Sequence, residues 1–237
     1  MISVIIEKDS IKEKLIKITD KNDVNHLKNS FRIKVGDLVR AVDGEFEYIC
    51  KITEIEKKEL QLEIIEKKQD KYSISTSVEA GIAILKNDKM DLVIQKLTEI
   101  GVSKIIPLIT QRSVVKILEK KDKWDLISKE ALKQCQGVKF LEIGQPLKLK
   151  EIDFKEYDLL IVPYEAAEEN TLKNLFRTET NQYKKILYII GPEGGFEAEE
   201  IEFLKERGCR IVTLGKRILR AETAAIVTGG IIINEFQ

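Results

Sequence analysis

Gly191-Pro192-Glu193-Gly194-Gly195 follows an unbroken apolar stretch and leads into a helical pattern, within the run YIIGPEGGFEAEEIEFL from 188 to 204. A glycine turn between strand and helix usually cradles phosphate, because the first N–H groups of a helix are free and carry partial positive charge. Here a carboxylate stands inside the turn. Two like unit charges about 4 Å apart, at an effective dielectric of about 20, repel by roughly 4 kcal/mol, so a bare Glu193 is a poor neighbour for a pyrophosphate. The glycines suit a close main-chain approach to an adenine, a ribose or a cationic group instead. Two more stretches, VPYEAA (162–167) and LGKRILRAETAA (214–225), also directly follow apolar runs. Ligands of open α/β sheets bind beyond the carboxyl ends of the strands, so three such bends can line one crevice. The phosphate signatures GxxxxGK[ST] and strand-linked GxGxxG are absent. Lys216, Arg217 and Arg220 cluster in the third bend, and Glu222 opens the last helix, where a carboxylate suits the helix dipole.

The 237 residues are 43% apolar and 34% charged, a composition that fits a folded domain or two and fits neither disorder nor a membrane span. Lys+Arg and Asp+Glu each number 40, so any nucleic-acid surface must be a local patch. Cys50, Cys135 and Cys209 are far apart and contain no CxxC pair, which points to reduced thiols and away from zinc or disulfide frameworks. The apolar run after Met1 is too short for a secretory signal. His26 is the single histidine; with no partner evident it reads as a surface residue near a helix start, so neither a His-based triad nor a metal site is expected.

These bends need a frame. Over residues 1–70 the pattern is mainly period-two, as in Phe46, Tyr48, Cys50 and Ile52 and again in Leu60, Leu62 and Ile64. Asp43-Gly44 between two such runs predicts a hairpin from about Val35 to Ile52. DKNDVNHLKNSF predicts one short helix capped by Asp20, Asn22 or Asp23, and the whole reads as a small barrel. EKKQDKYSISTS (66–77) reads as the linker. Beyond it, short apolar runs at 80–85, 104–109, 158–162, 186–190 and 211–214 predict strands buried on both faces, with helices between them. Met90, Val93, Ile94, Leu97 and Ile100 form one helical stripe closed by Gly101, and Trp124, Ile127, Ala131 and Cys135 another. The order predicts a parallel α/β domain over 71–237. Its last helix is apolar nearly all round from Ala224 to Ile233, so it should be buried, against the domain or a second subunit, and Gly229-Gly230 within it implies close backbone packing.

GPEGGF about twenty residues before LGKRILRAETA, behind a β-rich N-terminal region, closely resembles the bacterial 16S ribosomal RNA uridine N3-methyltransferase family of the SPOUT superfamily. HLKNSFRIKVGDLVRAVDG (26–44) is similar to that family's N-terminal signature, and DLVIQKLTEIGVSKIIPLITQRSV (91–114) to its first βα region. The chain departs from the pattern at Ser30-Phe31, where leucine is usual before the arginine, and after Gln134, where it lacks the usual arginine and proline.

The resemblance implies a PUA-like β-barrel RNA-binding domain over 1–70 and a SPOUT-type α/β methyltransferase domain with a trefoil knot over 71–237. It implies S-adenosyl-L-methionine as cofactor, a homodimer, 16S ribosomal RNA or the small ribosomal subunit as partner, no metal, no membrane, and a cytoplasmic location. A sulfonium cofactor is cationic at its reacting centre, which accommodates Glu193. By the resemblance the cofactor would be held by Pro163, Tyr164 and Glu165; by Gly191, Pro192, Gly194 and Gly195; and by Leu214, Gly215, Ile218, Leu219, Ala221 and Thr223. Methylation at N3 of uridine requires loss of the N3 proton. Arg220 is therefore expected to stabilise the uridine anion, with Arg112 as its partner or as a phosphate clamp, and Glu193 or Glu222 to accept the proton or orient the base. Lys28, Arg32, Lys34 and Arg40 are expected to meet RNA phosphate. The rival readings are a knotted methyltransferase acting on transfer RNA, a non-catalytic RNA-binding protein, and an NAD-dependent enzyme, the last disfavoured by the missing fingerprint.

Overall fold

The computed structural model describes residues 1–115, 117–168, 170–178 and 182–237. Two compact units emerge, Met1–Ser73 with Leu132–Phe140, and Ile74–Ala131 with Leu141–Gln237. The first unit holds β1 (Ile2–Ile5), β2 (Ile11–Lys12), β3 (Leu15–Ile18), α1 (Lys21–Asn25), β4 (Leu38–Val42), β5 (Phe46–Ile55) and β6 (Leu60–Gln69). Its six strands run in the order β1-β4-β5-β6-β3-β2, with β1 parallel to β4 and all other pairs antiparallel. Bulges at Ile49/Cys50 and Ile52/Glu54 add twist to β5. Among the described residues the ladders leave β1 and β2 as edges, so the expected barrel is a sheet that hydrogen bonds do not close. One face buries Val4, Ile16, Val39, Cys50, Ile52, Leu60 and Leu62, with Val24 and Leu27 packed onto it.

The hairpin turns where Asp43-Gly44 predicts. Gly44 has φ +90°, and the Asp43 carboxylate accepts from the N–H groups of Glu45 (2.9 Å) and Phe46 (2.7 Å) and from the Tyr48 hydroxyl (2.9 Å). Burial pushes that carboxyl up, but the hydrogen bonds outweigh it and hold Asp43 below its usual value. The short helix is capped by Asp20, which accepts from Asn22 and Asp23 N–H, and runs on as a π-turn over His26–Ser30. Leu132–Phe140 joins this unit through Leu132 and Val138, which bury Val42.

The second unit holds β7 (Ser77–Ala83), α2 (Lys89–Ile100), β8 (Lys104–Ile109), α3 (Asp122–Cys135, its last turn counted with the first unit), β9 (Glu142–Ile143), β10 (Leu147–Lys148), β11 (Leu159–Pro163), α4 (Leu172–Thr178), β12 (Lys185–Ile190), α5 (Ala198–Glu206), β13 (Arg210–Val212) and α6 (Ala221–Glu235). All strand pairs are parallel, in the order β10-β8-β7-β12-β11-β13, with β9 also on β8. Alternation along β12 feeds two cores. Ile186, Tyr188 and Ile190 join residues of α2, α4 and α6 on one face, while Leu187 and Ile189 join Phe196 and the α5 residues Ile201 and Leu204 on the other. A strand buried on both faces has no room for alternating polar residues, which is why these strands read as continuous apolar runs.

Gly101 ends α2 at φ +95°, donating to the carbonyls of Leu97 and Thr98, as its position predicts. The helix α6 packs on α2 and over β7 and β12. The paired glycines of α6 differ. A Cβ on Gly229 would lie 2.8 Å from the Tyr188 hydroxyl and 3.2 Å from Leu97 Cδ2, whereas one on Gly230 would meet nothing within 4 Å. Close packing thus accounts for Gly229 alone. Cys50 and Cys209 are buried, which pushes both thiols up to about 12 and makes them unreactive. Among the described residues no helix is long and apolar enough to cross a membrane.

In denaturant unfolding, Gly229→Ala is expected to destabilise by about 1–3 kcal/mol through overpacking, despite the better helix propensity of alanine. Gly230→Ala is expected to be neutral or to stabilise by up to about 1 kcal/mol. Equal effects at the two positions would show that propensity, not Tyr188, governs this helix.

Candidate active site

Three adjacent strands, β12, β11 and β13, release their chains at the same edge of the sheet, because all are parallel. Each then turns. Pro163-Tyr164-Glu165 leaves β11, Gly191–Phe196 leaves β12, and Leu214–Arg220 leaves β13 and enters α6. Two adjoining clefts open among these bends and share Pro163, Glu165, Ile218, Leu219 and Ala224. One is otherwise lined by Tyr164, Leu214, Gly215, Lys216 and Arg217. The other is lined by Gly191, Pro192, Glu193, Gly195, Arg220, Ala221 and Lys89. Of the residues expected around a cofactor, Gly194 and Thr223 lie off both linings.

The glycine bend is built by its neighbours. Gly195 has φ +72°, and a Cβ there would sit 2.6 Å from Glu165 Oε1; a Cβ on Gly191 would strike the Phe196 ring at 2.9 Å. Gly195 N–H donates to the Pro192 carbonyl (2.9 Å), closing the turn. Behind it the Arg112 guanidinium donates to both Glu197 oxygens (2.6 and 2.7 Å) and to the Gly194 carbonyl (2.9 Å). Hydrogen bonding to Arg112 holds Glu197 below its usual value, and the same bond raises Arg112. Arg112 is thereby spent on the loop: it lines neither of the two clefts, and it acts as a brace. The buried Glu200 extends the brace by accepting from the N–H groups of Gln111 (2.9 Å) and Glu197 (3.0 Å), the latter as part of the capping box of α5.

Glu193 does not face the cleft as a bare charge. Its Oε1 accepts from Lys86 N–H (3.2 Å) and from Lys89 Nζ (3.1 Å), and Lys89 Nζ also lies 3.7 Å from Glu222 Oε2. Burial pushes the Glu193 carboxyl up, but hydrogen bonds from its own N–H, from Lys89 and from Lys86 prevail and hold it below its usual value. The repulsion that an isolated Glu193 would exert on a diphosphate is therefore partly offset by Lys89. Glu222 is 8% exposed, does not line the two clefts, and its Oε2 has no hydrogen-bond partner among the described residues. Arg220 is exposed at the N-cap of α6, and among the described residues nothing pairs with its guanidinium.

Lys89 was not legible as a site residue from motif spacing, although one signal was available. A cation in the first turn of a helix opposes the dipole, and such a local violation marks a residue held for another purpose. In the N-terminal unit, Arg32 and Lys34 are exposed, and Lys28 is half-buried with Nζ on the Glu56 carbonyl (2.9 Å). Arg40 requires a correction. Expected at phosphate, it is 4% exposed, pairs with Glu47 (2.6 Å) and donates to the carbonyls of Gln136 (2.7 Å) and Gly137 (2.9 Å). With its donors so occupied, it fastens the chain after α3, where Gln136 takes φ +60°, and has none facing solvent for RNA. Among the described residues no cluster of possible metal ligands occurs.

Residues 49–233 match the family model of an RNA methyltransferase domain, and residues 18–65 that of an RNA methyltransferase PUA domain. The ribosomal RNA small subunit methyltransferase E of Rickettsia conorii is 34% identical over 218 residues, covering 89% of this chain and 86% of that protein. Its counterpart in Mesomycoplasma hyopneumoniae is 34% identical over 209 residues, covering 86% of this chain and 87% of that one. The crystal structure of a ribosomal RNA small subunit methyltransferase E from Neisseria gonorrhoeae, bound to S-adenosyl methionine, aligns with a TM-score of 0.86 at 25% identity, over 99% of this chain and 97% of that chain. With three glycine- and charge-bearing bends at one sheet edge and a family match over most of its length, the chain belongs to the RNA methyltransferase family of the ribosomal RNA small subunit methyltransferases E.

Proposed function

We propose that this chain transfers a methyl group from S-adenosylmethionine to N3 of a uridine in 16S ribosomal RNA. The observation that carries the reading is the convergence of the three bends on adjoining clefts at the carboxyl ends of β12, β11 and β13. The donor set fits that cofactor. Gly191 and Gly195 line the cleft at positions where a side chain would strike Phe196 or Glu165, Leu214 and Gly215 line the adjoining cleft, and the carboxylates of Glu165 and Glu193 suit a cationic ligand. When bound, the cofactor supplies an electrophilic methyl group on a positively charged sulfur.

The residues of the chain then have separate tasks. The N3 nitrogen of uridine becomes a good nucleophile only when its proton leaves, so the site must favour the anion. Arg220, exposed, without an ion-pair partner among the described residues and on the cleft wall, supplies a positive charge for the uridine oxygens flanking N3. Glu193, kept ionised beside Lys89, is a weak base and serves better to orient the uracil ring or the cofactor than to hold its proton. Arg112 positions the glycine bend through Gly194 and Glu197. Arg32 and Lys34 offer phosphate contacts in the PUA unit.

The proposal extends to architecture. A C-terminal trefoil knot through the three bends, which the family resemblance implies, belongs to the proposal, with β12 between β7 and β11 and β13 outside β11. Val227 (36% exposed) and Ile231 (39%), one turn apart on α6, and Leu92 (40%) on the adjacent α2 are exposed apolar residues that fit a homodimer.

Arg220→Ala is expected to lower methyl transfer to small-subunit RNA at least about 100-fold, the scale of losing one transition-state charge contact. Its cofactor affinity by calorimetry should stay within about threefold, and unchanged turnover would reject the assignment. Glu193 supplies a pH test with a defined sign. Because its folded value is lowered, the stability it contributes is complete above the usual glutamate value of 4.5 and is lost as pH falls through the lowered one. The stability difference between wild type and Glu193→Gln should therefore be constant near neutrality and vanish in the acid limb; a difference that grows on acidification would contradict the pairing with Lys89.

A further inference from the structure

The π-turn over His26–Ser30 is followed by an aromatic residue whose ring is about half exposed. Phe31 is 47% exposed, and its ring meets the exposed His26 edge-on, with centroids 4.8 Å apart and planes at 83°. Val35, 62% exposed, follows four residues later. Between Val24 and Gly36 the chain carries Lys28, Arg32 and Lys34 and no carboxylate. Asp37, the next acid, is turned back on the Lys34 N–H (2.7 Å). Isolated exposed apolar residues need no account, but an aromatic ring braced by a second ring and flanked by Arg32 and Lys34, which have no carboxylate partner among the described residues, has a chemical meaning. Unstacked RNA bases are recognised by stacking on Phe, Tyr, Trp or His faces while basic side chains hold the backbone.

We propose that Phe31, braced by His26 and flanked by Arg32 and Lys34, is a stacking platform for an unpaired base of the RNA substrate. The inference rests on the reading of the chain as an RNA methyltransferase and adds the state of its RNA: the segment held by the N-terminal unit is single-stranded at that point. Charge complementarity selects RNA over protein as the occupant. A duplex buries its bases in the stack and would reach only the cations.

The test uses the full chain and two end-labelled probes, a uridine-rich single-stranded RNA and a duplex of the same length. Phe31→Ala is expected to weaken single-strand binding about tenfold. The slope of log affinity against log salt and the duplex affinity should stay as in wild type. Phe31→Leu keeps apolar bulk without an aromatic face and should match Phe31→Ala, while Phe31→Trp should keep wild-type affinity. Arg32→Ala should instead reduce the salt slope by about 0.7, the value for one phosphate on a single strand. Wild-type affinity in Phe31→Leu, or equal losses on both probes, overturns the platform and leaves the patch as a protein contact or a nonspecific surface. Methyl transfer and cofactor binding by the wild-type chain are read separately: their absence would sink the enzymatic reading, whereas their presence alongside an inert Phe31→Ala would sink only the platform.

Discussion

Glu193 and Glu222 arise from different bends, and without a cation between them two carboxylates would crowd the start of α6. Lys89 supplies that cation, 3.1 Å from one and 3.7 Å from the other. The consequence is geometric as well as electrostatic. One ammonium ties the start of α2, the glycine bend after β12 and the first turn of the last helix to a common point, so the wall of the cleft is fixed by an ion pair network. Half-buried pairs of this kind are screened less than surface pairs. They are also costly to break from one side, since the remaining charges lose their partner.

The bracing of the glycine bend follows the same logic from the opposite side. Arg112 meets Glu197 with a bidentate fork through Nε and Nη2 and takes the Gly194 carbonyl with Nη1. An arginine so engaged has a rigid role that lysine could not reproduce, because a point charge cannot satisfy two carboxylate oxygens and a carbonyl in one plane. Glycines give the bend freedom to approach a ligand, and the two ion pairs remove the freedom that would otherwise cost binding entropy.

The fold was largely legible. Both-face burial leaves long apolar runs, and those runs located β8, β11 and β12 closely; Gly101 and Asp43-Gly44 marked real stops because only a few residue types serve there. The three bends were legible as well, since a parallel sheet obliges them to share an edge. What sequence could not give was the partner of each charge. Arg40 looked like any basic residue in a basic stretch, and only the fold brings Gln136 and Gly137 to its donors, 96 and 97 residues away. Gly229 and Gly230 looked equivalent, but Tyr188 crosses α6 at just one of them. Lys89 lay 104 residues from Glu193, beyond the reach of any motif.

Charge pairing also decides where RNA can be attracted by a chain with no net charge. In the N-terminal unit Lys8, Lys17, Arg40 and Lys133 are each matched to a carboxylate, so their fields cancel at short range. Arg32 and Lys34 are not matched among the described residues. This short stretch, from which carboxylates are missing, thus presents unmatched positive charge. Within a Debye length of about 8 Å at physiological salt, a phosphate beside that stretch senses its charges and little of those farther away. Selectivity for a place on the RNA then has to come from short-range contacts beside those cations, which is the role an exposed aromatic ring can fill and a further lysine cannot.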